Sequence, residues 1–556
     1  MKTFFKIFFG SCLGVLVGLF ILFFVLTGMI GSLASSATTS EDTAIKSNSV
    51  LHLNLEGEIT DRTYDASFLN FSFSSGTSSI GLFDIQEVLK QAKADKKIKI
   101  LLIDIDKASF GIAALNQFLD FIEDFKKSGK LVYLYSNGAT QKTFLVGAYA
   151  DKMYLNPIAG CEFNGFVLEN MFFTGLMEKV GVQPNIFYAG EFKSATEPFR
   201  LKENSPENEL QLTELLKDIQ AEYLSKLSKK INISTDSLIG FANQLQITQA
   251  IDAKKYGLVD DLKYQDELLD EIRTKLGYGK NENLNFVSYK KYKKSITPED
   301  NTSASNQIAV LFAEGEIIDG NAESGTIAGD TYLKHIYEIQ EKANSGEVKA
   351  LVLRVNSGGG SAFASEQIWR ALSNLKKKIP IVVSFGDVAA SGGYYIACAS
   401  DKIFAQQNTI TGSIGVFGML FNTQKLFNDK LGITTDVVKT NPYADFGNST
   451  RAWTPIENAA MQRDIDAIYT LFKKRVADAR KLSAEQVTNI AKGRIYSGVD
   501  AKAIGLIDNI GTLDDAIAEA KKLAKLNAIN VVQYPAVKGL QSFLEKKLVL
   551  IKKLRS

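Results

Sequence analysis

From Ile7 to Ile30 the chain carries no charged residue. A helix over that run is roughly 36 Å long at about 1.5 Å per residue, enough to cross a bilayer core of about 30 Å. Lys2 and Lys6 precede the run, and the first charges after it are Glu41 and Asp42. That asymmetry predicts an N-terminus in the cytoplasm and the rest of the chain outside. Ala34-Ser35-Ser36-Ala37 offers small residues to a signal peptidase, but the apolar cores of cleaved signals are shorter, about 7–15 residues. A retained signal-anchor is therefore expected. No second apolar run is long enough to span.

Beyond the anchor, short apolar runs alternate with helical periodicity. ALVLRV (350–355) and PIVVSF (380–385) read as buried strands of a mostly parallel sheet. ASEQIWRALSNLKKK (364–378) reads as a helix between them, and the alternation argues for an α/β architecture. The pattern is written twice. Ile98 to Asp106 lines up with Val348 to Asn356 at an offset of 250 (348 − 98), and the same offset carries Leu145–Tyr154 onto Tyr395–Phe404. Farther out the offset drifts: Leu55–Ile59 matches Ala313–Ile317 at 258, and Gly181 matches Gly432 at 251. A period of that size is a whole domain, so this is a duplication and not a solenoid. Polar stretches at 32–47 and 295–307 read as linkers. The expected organisation is an anchor and linker over 1–46, a first repeat over 47–300, a second over 301–535, and a basic tail over 536–556.

Composition narrows the chemistry. With 45% hydrophobic and 23% charged residues, the chain is ordinary globular protein rather than disordered or collagen-like. Lys+Arg 64 against Asp+Glu 62 leaves a net charge of +2, too little to gather nucleic acid, so no nucleic-acid partner is expected. Only His52 and His335 are available as histidine ligands, and Cys12, Cys161 and Cys398 fit no zinc spacing. No metal and no cofactor is implied.

Two glycine-rich stretches follow predicted strands. The strand IPIVVSFG is expected to end at Gly386 and to lead through Asp387-Val388-Ala389-Ala390-Ser391-Gly392-Gly393 into the helical pattern YYIACAS. A serine at such a turn exposes its hydroxyl, and the Gly392 N–H lies where a helix N-terminus would bind an oxyanion. ALVLRV runs into Asn356-Ser357-Gly358-Gly359-Gly360-Ser361, whose glycines let backbone N–H groups approach a ligand. The phosphate-loop pattern GxxxxGK[ST] is absent. A serine nucleophile needs a base. His52 lies in VLHLNLEG and aligns with Val310, as a strand residue would; His335 lies in TYLKHIYEIQEKA with nothing near it that resembles a triad. A desolvated lysine is the remaining kind of base, and the residues alone do not select one.

GEFKSATEPF (190–199), VNSGGGSAFASE (355–366), GDVAASGGYYIA (386–397) and TGSIGVF (411–417) together resemble the signal peptide peptidase A family, also called protease IV, in its long, duplicated, membrane-anchored form. The resemblance implies two tandem Clp-protease/crotonase-like domains of repeated ββα units. It implies Ser391 as nucleophile, Lys193 as general base, and an oxyanion hole drawn from Gly359, Gly360 and Gly392. It further implies a serine endopeptidase at the bacterial inner membrane, with catalytic domains on the periplasmic side. Its substrates would be peptides such as cleaved signal peptides, and its assembly a ring-like homo-oligomer, a tetramer. Gly358 stands where the family usually has proline, which leaves the loop freer in φ.

The repeat agrees with these assignments. Gln141 stands opposite Ser391, Ser109 and Phe110 opposite Gly359 and Gly360, and Tyr443 or Ala444 opposite Lys193. Each half has kept one part of the machinery, so the site is expected at the interface between them. Ser194 is a candidate to orient the amine, and Thr411 to Gly415 a turn near the cleft. Glu56-Gly57 and Glu314-Gly315, present in both halves, are expected to serve the fold. Two other readings stay open: a crotonase-like acyl-CoA enzyme and a non-catalytic envelope scaffold.

Overall fold

Strands buried on both faces read as continuous apolar runs, and these runs form the centres of two sheets. The computed structural model describes Phe20 and residues 44–63, 79–296, 306–322 and 325–535. The expected anchor over 7–30 (Phe20 apart), most of both polar linkers and the basic tail lie outside the described residues. Among the described residues no helix is long and apolar enough to cross a membrane.

The first half contributes β1 (Ser49–Thr60), β2 (Ile80–Gly81), β3 (Ile98–Ser109), β4 (Leu131–Ala139), β5 (Lys152–Cys161), β6 (Gln183–Ala189), β7 (Asp261–Leu262) and β8 (Phe286–Ser288). Its sheet runs β2-β1-β3-β4-β5-β7, with β8 also on β1, and every pairing in it is parallel. The second half contributes β9 (Gln307–Glu314), β10 (Glu316–Ile318), β11 (Thr326–Ala328), β12 (Val348–Ser357), β13 (Ile381–Ala390), β14 (Lys402–Ala405), β15 (Ile410–Gly412), β16 (Val416–Asn422), β17 (Ile495–Tyr496), β18 (Asn509–Ile510) and β19 (Asn530–Tyr534). Its sheet runs β17-β15-β13-β12-β9-β19. The core β1-β3-β4-β5 of one half is repeated as β9-β12-β13-β14 in the other. The duplicated α/β architecture read from the sequence is present. Helix Ala362–Leu375 buries Ala364, Ile368, Ala371, Leu372 and Leu375, one stripe at helical spacing turned into the core of the second half.

One strand departs from the sequence reading. β13 does not stop at Gly386 but continues to Ala390. Its first part pairs with β14 through Val382–Ser384, and its last part with β15 through Val388–Ala390. Gly386 marks the change of partner rather than the end: a Cβ there would lie 2.8 Å from Asn356 Cγ.

The halves are tied together by a strand pair and by buried charge. β6 of the first half runs antiparallel to β16 of the second, in register from Ala189↔Val416 to Gln183↔Asn422. Arg354, 2% exposed in the middle of β12, forks onto Asp61 of the first half: Nε donates to Oδ2 at 2.9 Å and Nη2 to Oδ1 at 3.0 Å. Its Nη1 donates to Ser384 Oγ at 2.8 Å and to the Phe385 carbonyl at 2.6 Å. Removing one partner strands a buried charge. Asp61→Asn is therefore expected to cost about 3–5 kcal/mol, read as a lowered thermal midpoint. Asp61→Leu combined with Arg354→Met should recover most of that loss, and a double variant as unstable as the single would contradict the account.

Candidate active site

Ser391 follows β13 directly and opens helix Gly392–Ala397. Its φ of 54° and ψ of −121° lie where a non-glycine residue is strained, the kind of strain that gathers at functional turns. The strand pair behind it holds that conformation. The Ser391 N–H donates to the Gly412 carbonyl at 3.0 Å, and the Ser391 carbonyl accepts from the Tyr395 N–H at 2.9 Å. The small residues after the serine let the helix press on the end of β12. A Cβ on Gly393 would lie 2.5 Å from the Ser357 carbonyl oxygen, and one on Gly392 2.7 Å from Ser365 Oγ.

Lys193 comes from the other half. β6 runs alongside β16 to Ala189, and the chain then crosses Gly190 (φ 113°) into the segment that bears the lysine. The Phe192 N–H donates to the Lys492 carbonyl at 2.8 Å. Lys193 is 4% exposed. Its Nζ lies 3.1 Å from Ser391 Oγ and donates to Ser413 Oγ at 2.9 Å and to the Ser413 carbonyl at 3.2 Å. The Phe417 ring centroid is 6.0 Å away. Burial pushes the amine down from 10.5 to about 8.

The glycine loop closes the third side. Gly359 has φ 99°, and a Cβ on it would lie 2.5 Å from the Gly392 nitrogen, so only glycine fits. The Ile317 N–H donates to the Gly359 carbonyl at 2.9 Å and the Ser361 N–H to the Ile317 carbonyl at 2.8 Å, a parallel bridge that turns the Gly360 N–H away from Ile317. The Gly359 N–H donates to Ser357 Oγ at 3.1 Å. A Cβ on Gly358 would meet nothing within 4 Å, so close packing does not require glycine there. These parts line one cavity of about 620 Å3, whose apolar side is formed by Tyr395, Phe417, Ile465 and Phe472. Among the described residues no group of three or more His, Cys, Asp or Glu side chains is disposed to hold a metal ion.

Residues 124–278 and 373–527 each match Peptidase family S49. The chain belongs to that family. Protease 4 of Haemophilus influenzae is 33% identical over 524 residues, covering 91% of this chain and 84% of the relative. Protease 4 of Salmonella typhi is 34% identical over 463 residues, 82% of this chain and 74% of the relative. The chloroplastic serine protease SPPA of Arabidopsis thaliana is 32% identical over 489 residues, 87% of this chain and 70% of the relative. As an S49 member the chain is a serine protease in its long, duplicated form, not the acyl-CoA enzyme or scaffold that the sequence left open.

In this S49 chain the first half's counterpart of Ser391, Gln141, serves the fold. It opens helix Gln141–Tyr149, and its Oε1 accepts from the Asn164 and Gly165 N–H groups. Phe110, opposite Gly360, is buried and stacks on Phe118. His52 sits in β1 in register with Leu102, and His335 lies edge-on to Tyr332 on a helix, both away from the cavity. Glu314 accepts from the Asp61 N–H at 3.0 Å and so joins the two halves. Ser194 does not reach the amine; its hydroxyl faces Gln211 at 3.2 Å. Ser413 is the residue that meets Lys193 Nζ, a role that sequence reasoning missed. The signal was available: at the repeat offset of 250 (413 − 163), the first half has Phe163 in its place.

Proposed function

We propose that this protein is a membrane-tethered serine endopeptidase of the bacterial cell envelope, working through a Ser391–Lys193 dyad. The observation that carries the reading is the surroundings of Nζ. A neutral amine has two N–H groups and one lone pair. Ser413 supplies two acceptors, and the third neighbour, Ser391 Oγ at 3.1 Å, is a hydroxyl able to donate. The amine is thus held as an acceptor toward the serine, at a distance that permits direct proton transfer.

In the forward step Ser391 Oγ attacks the scissile carbonyl carbon while its proton passes to Lys193 Nζ. The oxyanion falls to backbone donors, Gly392 N–H on one side and the Gly359–Gly360 segment on the other. Of the latter pair, Gly360 N–H suits the role better, because Gly359 N–H is engaged by Ser357 Oγ. The ammonium then returns its proton to the leaving amine, and Lys193 activates the water that releases the acyl group.

Residues 7–30 hold the chain in the inner membrane with both halves in the periplasm, where cleaved signal peptides are the natural class of substrate. Exposed Val437, Val438, Tyr443 and Phe446 offer an apolar surface that suits a homo-oligomer, a tetramer.

A fluorophosphonate serine reagent tests the dyad and the tether together. It should label the parent on the peptide bearing Ser391 and leave Lys193→Met unlabelled, and the labelled band should stay with membranes after a carbonate wash. Label on any other serine would reject the nucleophile, and a labelled band in the wash would reject the anchor.

A further inference from the structure

The lysine segment has little structure of its own, the short turn Ser194–Thr196 and one helical turn over Glu197–Arg200, so the position of Nζ depends on what grips its neighbours. A lysine side chain is long and rotatable, and a loose backbone would let the amine wander. Two grips come from the second half: the Phe192 N–H donates to the Lys492 carbonyl at 2.8 Å, and a Cβ on Gly493 would lie 2.7 Å from Lys193 Cβ. The third is a single side chain. Gln211 lies in helix Pro206–Ile231 and is 2% exposed. Its Nε2 is 3.2 Å from the Phe192 carbonyl oxygen and 3.2 Å from Ser194 Oγ, the residues on either side of Lys193, and 2.9 Å from Asn208 Oδ1. Its Oε1 accepts from the Ile495 N–H at 3.1 Å. Ile495 pairs with Gly412 across β17 and β15. The Gly412 carbonyl in turn accepts from the Ser391 N–H, and the Ser413 N–H donates to the Arg494 carbonyl at 2.7 Å.

We propose that Gln211 is a positioning residue for the reaction: it clamps the lysine segment of the first half to the strand pair that backs the nucleophile, and so fixes the Nζ–Oγ separation. This rests on the Ser391–Lys193 reading. The duplication supports it independently. Helices Pro206–Ile231 and Pro455–Arg480 are both 26 residues long and begin with a capped proline, an offset of 249 (455 − 206) that sets Ala460 opposite Gln211. The half without the lysine is also without the glutamine. A carboxamide suits the task, since it offers donors and an acceptor without charge. A glutamate would lose the donors and hold the amine protonated. The charged neighbours are already paired: Glu191 with Lys492 at 2.9 Å, Glu197 with Arg200 at 3.6 Å, and Glu214 with Arg494.

The test uses the full chain, a peptide substrate and the variants Gln211→Met and Gln211→Glu, with kinetics from roughly pH 6 to pH 10 at a temperature below each variant's thermal midpoint. Gln211→Met should lower kcat by about 10- to 100-fold with KM little changed, since a misplacement of about 1 Å in the reacting groups costs that much. Its pH–rate profile should shift upward, because a loosened amine meets water. Gln211→Glu should shift it further and regain activity at high pH. A Met variant with the parent's kcat and profile, a loss confined to KM, or a kcat loss with an unmoved profile would each overturn the clamp. Lys193→Met in parallel separates the two readings. If it keeps activity, the dyad itself is wrong; if it is dead while Gln211→Met matches the parent, only the clamp is.

Discussion

Ser391→Ala is expected to lower kcat for peptide hydrolysis by roughly 10^4- to 10^6-fold, the scale on which serine hydrolases respond to loss of the nucleophile. Oγ is the only atom removed, and it lies 3.1 Å from the buried amine. The backbone that presents it is held by other groups, the Gly412 carbonyl before it and the Tyr395 N–H after it. Alanine bears the same positive φ at much the same cost, so the thermal midpoint should move little. The cavity keeps its apolar side and its backbone donors, so peptide affinity should be retained, and fluorescence anisotropy on a labelled peptide would show it. Loss of turnover with binding preserved is the signature of a missing nucleophile. Retained turnover would place the chemistry elsewhere, and joint loss of binding and turnover would make Ser391 a structural residue.

Much of the fold and of the site is legible in the amino-acid sequence. The parallel strands announce themselves because both faces are covered, which leaves ALVLRV and PIVVSF without polar alternation. The duplication points to the candidate site by what each copy has lost, and Lys193 and Ser391 lie together although 198 residues separate them in sequence. What stays hidden depends on partners that periodicity cannot reveal. Arg354 looks like a misplaced charge in a buried strand until Asp61, 293 residues away, supplies its carboxylate. β13 runs on past Gly386 because a second neighbour, β15, takes over the pairing, and no local pattern encodes a neighbour. Ser194 is the natural partner for the amine by adjacency alone. Residues next to each other in a turn point apart, so the role falls to Ser413, delivered by the other half.

Lys193 carries the second large effect, and it couples activity to stability. Burial lowers the amine from 10.5 to about 8. The reactive form is neutral, so kcat/KM should rise with pH through about 8 and level off above it. Lys193→Arg should be as inactive as Ser391→Ala, with no recovery at high pH, because a guanidinium does not deprotonate in this range. The two variants combined should be no worse than either alone, since the groups act as a unit. The stability consequence has a definite sign. Between the folded value of about 8 and the unfolded value of 10.5, the unfolded chain holds more protons, so stability rises with pH across that window. Below it the full penalty for a buried ammonium is present, about 3 kcal/mol. Lys193→Met removes the penalty but leaves Ser413 without two hydrogen bonds, about 1 kcal/mol each. At neutral pH the methionine variant should therefore unfold at a slightly higher temperature than the parent while being inactive. The advantage should shrink as pH rises through the window, because only the parent gains stability there. A difference in midpoint independent of pH would mean that Lys193 is charged in the folded state at no cost. An amine of that kind would keep the free value of 10.5 and stay protonated through the range near 8 where activity is expected to rise, so it could not serve as the base there.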